Sequence, residues 1–216
     1  MIPHFNITQG RDEWHKIRYG KIGGSRSKGL FVKSDTLFFD VLSELTEPYE
    51  TDFDEYISDD MLRGMELEPQ GRIELSEYTN LPFVECGWLQ CEEIPLLGIS
   101  PDGITTNLLY SCEIKCPEAK RHIQTCYENK TPLGNLHQCL HYFTVNPNLK
   151  EHYFCSYRPE SIKKIFVEKF DLFTEINLGT KAKPVIKTIA EWRQTAKIEA
   201  VLLQNQLFDA IKKLQF

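Results

Sequence analysis

Apolar positions along the chain repeat with two periods, and the period changes several times. RDEWHKIRYG suggests a helix from Asp12, ended by the glycines at 23 and 24, with Ser25 as the N-cap of a second short helix. TLFFDVLSELT (36–46) spaces Leu37, Val41, Leu42 and Leu45 as one helical face. An acidic loop, EPYETDFDEY, precedes a long helical pattern from about Ser58 to Tyr78, in which Pro69 predicts a kink or a break. PFVECGWLQC, IPLLGIS and LLYSCEIKC then read as three strands of an antiparallel meander, with PDGITTN as the turn between the second and third. Residues 119–144 are helical around an interruption at Pro132–Gly134. EHYFCSYR and KKIFVEKF are two more strands flanking a turn at Pro159, and an amphipathic helix covers about 185–214. This order predicts an α+β or mixed α/β fold, a central mixed sheet flanked by helices. No repeat or linker divides the chain, so a single domain over 1–216 is expected.

Composition changes this picture little. The chain has 41% apolar and 26% charged residues, ordinary values for a soluble globular protein, and no apolar run approaches the roughly 18 residues of a membrane span. The first twenty residues lack the apolar core of a signal peptide, so a cytoplasmic location and no membrane partner are expected. Seven cysteines with irregular spacing and no CxxC pair argue for reduced, mostly buried thiols over a disulfide framework or a zinc ribbon. The net charge of −6 is unevenly spread: residues 1–33 carry seven Lys and Arg against Asp12 and Glu13, and 35–93 carry seventeen acids against Arg63 and Arg72. A basic wall beside an acidic body could still steer a polyanion.

The chemistry concentrates in GISPDGITTNLLYSCEIKCP, residues 98–117. Alternate side chains of a strand share a face, so Glu113 and Lys115 point one way, and Cys112, Ile114 and Cys116 the other, into a core. Asp102 stands at the mouth of the turn leading back to this strand, within reach of Glu113 if the strands pair. Two carboxylates that close repel unless a cation lies between them, and hard oxygen donors select Mg²⁺ or Mn²⁺. Lys115 can orient a nucleophilic water or stabilise charge on a phosphoryl oxygen.

SPDGI followed by CEIKCP resembles the PD-(D/E)xK nuclease superfamily, and within it the phage lambda-type exonucleases, the YqaJ viral recombinase family. Three further stretches carry the resemblance. QGRDEWHKIRYGKIGGSRS is similar to the family's opening motif, whose Arg and Ser hold a substrate 5′-phosphate and fall here on Arg18 and Ser25. A nearby Arg beside backbone N–H groups at a helix start suits an anion on physical grounds too. RGMELEPQGRIEL is similar to the family's G-x-x-x-E-P-x-A-R helix, whose Glu, here Glu68, faces the metal site. Gly64 stands one turn earlier, where a small residue permits close approach to the sheet, and Gly71 replaces the usual Ala. The sequence alone also allows a solvated i,i+4 pair between Glu68 and Arg72. HQCLHYF supplies the Q-x-x-x-Y pattern through Gln138 and Tyr142, and either Gln138 or His141 could make the polar contact near the site.

The resemblance implies a restriction-endonuclease-like core and a 5′→3′ exonuclease that digests one strand of duplex DNA from its ends, leaving 3′ overhangs. It implies Mg²⁺ (Mn²⁺ can substitute) held by Asp102, Glu113, the Ile114 carbonyl and Glu68, water activated by Lys115, and Gln138 beside the site. Arg18 and Ser25 would favour phosphorylated ends. A homotrimeric ring around DNA, a single-strand annealing partner, and a phage or prophage protein working in a bacterial cytoplasm complete the expectation. The rivals are another nuclease of the superfamily (an endonuclease or an iron–sulfur relative) and a non-catalytic DNA-end-binding scaffold. No cysteine precedes Cys86 or follows Cys155, unlike the iron–sulfur pattern, and retention of the acids with Lys115 argues against a scaffold.

Overall fold

The computed structural model describes residues 1–32, 35–49 and 59–215. In chain order these form β1 (Ile2–His4), α1 (Asp12–Arg18), a 3₁₀ helix (Gly24–Leu30), α2 (Asp35–Thr46), α3 (Asp59–Thr79), β2 (Trp88–Gln90), β3 (Gly98–Ile99), β4 (Gly103–Ile104) and β5 (Tyr110–Lys115). Then follow α4 (Ala119–Glu128), α5 (Leu133–Val145), β6 (Glu151–Tyr157), β7 (Ile165–Phe170), β8 (Glu175–Asn177), β9 (Ile186–Thr188) and α6 (Ile189–Leu214). The acidic loop expected over 47–56 lies largely outside the described residues.

The central sheet has the order β4-β5-β6-β7 and is mixed, as expected: β5 and β6 run parallel and the other two pairs antiparallel. A parallel pair needs a crossover, and α4 with α5 supplies it. Helices cover both faces. Glu113 and Lys115 lie opposite Phe154 and Ser156 in register, and this face packs under α5, with Phe154, Phe166 and Phe170 joining Leu140 and Phe143 in the larger core. On the other face Cys112, Ile114, Cys116, Cys155 and Tyr157 form a second core with Leu75 of α3. The strand is therefore buried on both sides, and its period of two sorts charges to one face and thiols to the other. All seven cysteines are unpaired; Cys126 is half-buried and the rest are buried.

The expected meander is not what forms. β2 and β3 pair antiparallel with each other and with β1, but β3 does not join β5. The stretch expected to be a turn contributes β4 instead, with Gly103 opposite Cys112. Pro101, which has no N–H to give a ladder, stands between β3 and β4, where the chain leaves one sheet for the next. Ser25 is not an N-cap: extended Gly23 occupies that position, and Ser27 makes the side-chain bonds, to the carbonyls of Gly24 (2.7 Å) and His137 (3.1 Å). α3 runs unbroken through Pro69, which is exposed together with Met65, so solvent can serve the carbonyl left without its N–H. The terminal helix starts at Ile189 rather than near 185, because Thr188 and Glu191 close a capping box behind the short strand β9. Its buried stripe is Ile189, Trp192, Ala196, Ala200, Leu203 and Leu207.

Close approach of α3 to the sheet occurs at Gly71, not at Gly64. Among the described residues nothing lies within 4 Å of a Cβ built on Gly64, whereas one built on Gly71 meets Ile114 Cγ2 at 3.1 Å and Tyr157 Cδ1 at 3.2 Å. A Gly71→Ala change sets about 1 kcal/mol of helix propensity against that crowding, so stability should stay within about 1 kcal/mol of wild type. Gly71→Val adds bulk with no room for it and should cost about 2 kcal/mol in urea unfolding. Equal midpoints for all three proteins would mean that α3 rides farther from β5 than described.

Candidate active site

Asp102, Glu113 and Lys115 come together. Asp102 is the last residue before β4; its Oδ2 accepts the Ile114 N–H at 2.7 Å. Glu113 is buried, with Oε1 on the Lys115 ammonium and Oε2 accepting the Tyr142 hydroxyl at 2.8 Å. Lys115 Nζ also stands 4.0 Å from Asp102 Oδ2 and, at 37% side-chain exposure, reaches solvent. Burial raises the Asp102 pKa well above its ordinary value, and the neighbouring Glu113 charge adds to the shift. Burial opposes the charge of Lys115, but Glu113 and Asp102 outweigh it and hold the ammonium above its usual range.

Glu68 approaches from α3 but is held by Arg72, one turn along, at 2.7 Å. The pair is not solvated: the Arg72 side chain is 12% exposed, and its Nε–H donates to the Asp102 carbonyl. Burial raises the Glu68 pKa, and Arg72 opposes that shift. Sequence reasoning had only an i,i+4 partner for Arg72, whereas the fold makes it a tie between the acid of α3 and the backbone of Asp102. Tyr142 was legible as a motif position, but its bond to Glu113 was not. Among the described residues no three His, Cys, Asp or Glu side chains are yet gathered around one point. Lys115 sits on Glu113, and Arg72 pairs with Glu68.

Arg18 and Ser25 also meet, in a cleft of about 520 Å³ that His15, Lys21 and Arg26 line with them. The Arg18 guanidinium lies over the Trp14 ring, 3.7 Å from its centroid. The expected separation into basic and acidic regions does not hold here. Glu44 and Glu47 of the acidic stretch line the same cleft, and Glu44 takes both Arg26 (2.8 Å to Nη1) and the Gly20 N–H (2.8 Å). Of Gln138 and His141, the structure gives neither a hydrogen bond to the acids. Gln138 packs its amide against Gly24, where a Cβ would come within 3.3 Å of Nε2. His141 is wholly buried and bonds to backbone carbonyls of Ile22 and Gly98. A second cleft, of about 530 Å³, opens beside Lys115 and Ser156 between α4 and the start of α5, with Arg121, Lys130 and Asn135 on its walls.

An alkaline exonuclease (LHK-Exo) from Laribacter hongkongensis superposes with a TM-score of 0.71 at 23% identity, covering 95% of this chain and 98% of its own, and its complex with dAMP gives the same values. A phage-related exonuclease from Haemophilus somnus 129PT reaches a TM-score of 0.51 at 11% identity, covering 88% of this chain and 96% of its own. Such low identities show a shared fold. No curated protein matches the chain. Residues 13–147 match the YqaJ-like viral recombinase domain, a span that is more than half of the chain and includes Arg18, Ser25, Glu68, Asp102, Glu113, Lys115 and Gln138; the chain belongs to that family.

Proposed function

We propose that the protein is a divalent-metal-dependent exonuclease that degrades one strand of double-stranded DNA from its 5′ ends and leaves 3′ overhangs. The observation that carries this reading is the buried Asp102–Glu113 pair with Lys115 beside it, where Glu113 and Lys115 stand on a strand otherwise packed into core. Structural relatives described as exonucleases support it, as does the family. The donors fit Mg²⁺ or Mn²⁺: carboxylate oxygens of Asp102 and Glu113, the Ile114 carbonyl, and Glu68 once it leaves Arg72. A bound cation would supply Lewis acidity to the scissile phosphate and to the attacking water.

The chain's own groups do the rest. Lys115, on Glu113 and 4.0 Å from Asp102, is placed to orient water and to stabilise charge on phosphoryl oxygen. Tyr142 fixes the Glu113 carboxylate by hydrogen bonding, and the Ile114 N–H fixes that of Asp102. Arg18 and Ser25 bind the terminal 5′-phosphate in their cleft, which sets polarity and favours phosphorylated ends. The cleft beside Lys115, walled by Arg121 and Lys130, takes the sugar–phosphate chain at the reacting bond. A ring of three chains around the duplex and an annealing protein that receives the overhang belong to this reading through the family resemblance.

Linear duplex DNA with 5′-phosphate or 5′-hydroxyl ends tests it directly. Mg²⁺-dependent strand loss should be faster from phosphorylated ends, fall by about 10²–10⁴-fold in Lys115→Ala, and lose its end preference in Arg18→Ala. Cutting of closed circles would make the protein an endonuclease, and end binding without cleavage would make it a scaffold.

The electrostatics give a second test, made with divalent cations chelated. The Asp102 pKa is raised in the folded state, so its ionisation opposes folding; the penalty is missing at low pH and builds as pH climbs from about 4 through the raised value. The D102N variant should therefore melt above wild type at neutral pH, with the gap closing on acidification. Adding Mg²⁺ should raise the melting temperature of wild type and leave that of D102N unmoved. A D102N protein that melts lower at every pH would mean that the acid is structurally satisfied without a cation.

A further inference from the structure

The backbone beneath the anion cleft is tied to α5 by one buried imidazole. His141 Nε2 lies 3.1 Å from the Ile22 carbonyl and 3.0 Å from the Gly98 carbonyl. Both partners only accept, so the ring proton sits on Nε2 and is shared between them. Nδ1 is buried without a hydrogen-bond partner among the described residues. Burial holds the ring's pKa at about 4, so it works as a neutral donor.

Ile22 is pinned from the sheet side as well. Its N–H donates to Leu96 at 2.8 Å, and its carbonyl also accepts the Gly98 N–H at 3.2 Å. The next residues are Gly23, Gly24 and Ser25; Gly23 and Ser25 line the cleft, and Gly24 lies against Gln138, one turn before His141 on α5. Tyr142, the residue after His141, holds Glu113. Consecutive side chains of one helix thus hold the floor of the cleft and a carboxylate of the acid pair. An apolar residue would fill the same space without stranding Nδ1, whose desolvation is unfavourable. What histidine adds is a fixed height of the Ile22–Gly24 backbone over α5.

We propose that His141 is a positioning residue that seats the anion cleft on α5 and so sets the spacing between the held terminal phosphate and the acid pair. This rests on the reading of that cleft as a 5′-phosphate site. Loss of the bond lets the cleft floor shift against α5, which weakens discrimination at the DNA end while Glu113, Asp102 and Lys115 keep their own contacts.

The test compares wild type, His141→Leu and His141→Gln on duplexes with 5′-phosphate or 5′-hydroxyl ends, with melting curves for each protein. Gln can present an amide N–H where Nε2 stood. In H141L the ratio of kcat/KM between the two ends should fall by about tenfold, as expected for one lost buried hydrogen bond, with kcat at saturating DNA held within about threefold. H141Q should recover most of the ratio. If H141L does not fold, His141→Met carries the same comparison. A folded apolar variant with the wild-type ratio overturns the proposal, as does an H141Q protein that loses the ratio as fully as H141L. Wild type showing no end preference would instead overturn the 5′-phosphate reading, and this proposal with it.

Discussion

The 2.7 Å bond from the Ile114 amide to the Asp102 carboxylate is the contact on which the rest of the molecule turns. It joins the loop between two sheets to the middle of a strand that is core on both faces. It also leaves a second acid, Glu113, beside the first in a place where water cannot screen their repulsion. Each neighbouring polar group can be understood as a response to that crowding. Lys115 supplies charge, Tyr142 supplies a hydroxyl, and Arg72 reaches over from α3 to hold the Asp102 carbonyl and a third acid at once. A fold assembled for stability alone would gain more from apolar side chains at these positions, because desolvation offsets most of what buried ion pairs return.

Most of this centre was legible in the sequence because it rests on a strand. A period of two is unforgiving: in CEIKC it sends Glu113 and Lys115 to one face and the thiols to the other, and the structure follows that assignment residue by residue. Helix spacing was equally informative for α2, α5 and α6. What sequence could not supply was partnering across distance. Nothing local distinguishes Arg72 as a surface partner of Glu68 from Arg72 as a strut against Asp102, since the two differ only in where α3 lies. The antiparallel meander failed for a related reason. Apolar runs reveal strands but not their neighbours, and Pro101 hands the chain from one sheet to another within a segment that reads as an ordinary turn.

The cleft that holds Arg18 and Ser25 illustrates the reverse case. Its residues come from α1, the 3₁₀ helix, α2 and the loops that follow α1 and α2, where charge counts along the chain suggested a basic segment followed by an acidic one. Folding brings those segments together, so the cleft carries Glu44 and Glu47 among its cations. Segment charge is a poor guide once tertiary contacts mix the segments, and a polyanion approaching this surface meets a field of alternating sign.

Gly71 and Ile114 lead to a last consequence. The residue whose amide holds Asp102 is the one whose side chain abuts the helix at its closest approach. Bulk added between α3 and β5 would bear on the same residue whose amide holds Asp102. The second core lies directly behind the strand that carries Glu113 and Lys115, so apolar residues on that hidden face share in placing the acid pair without touching it.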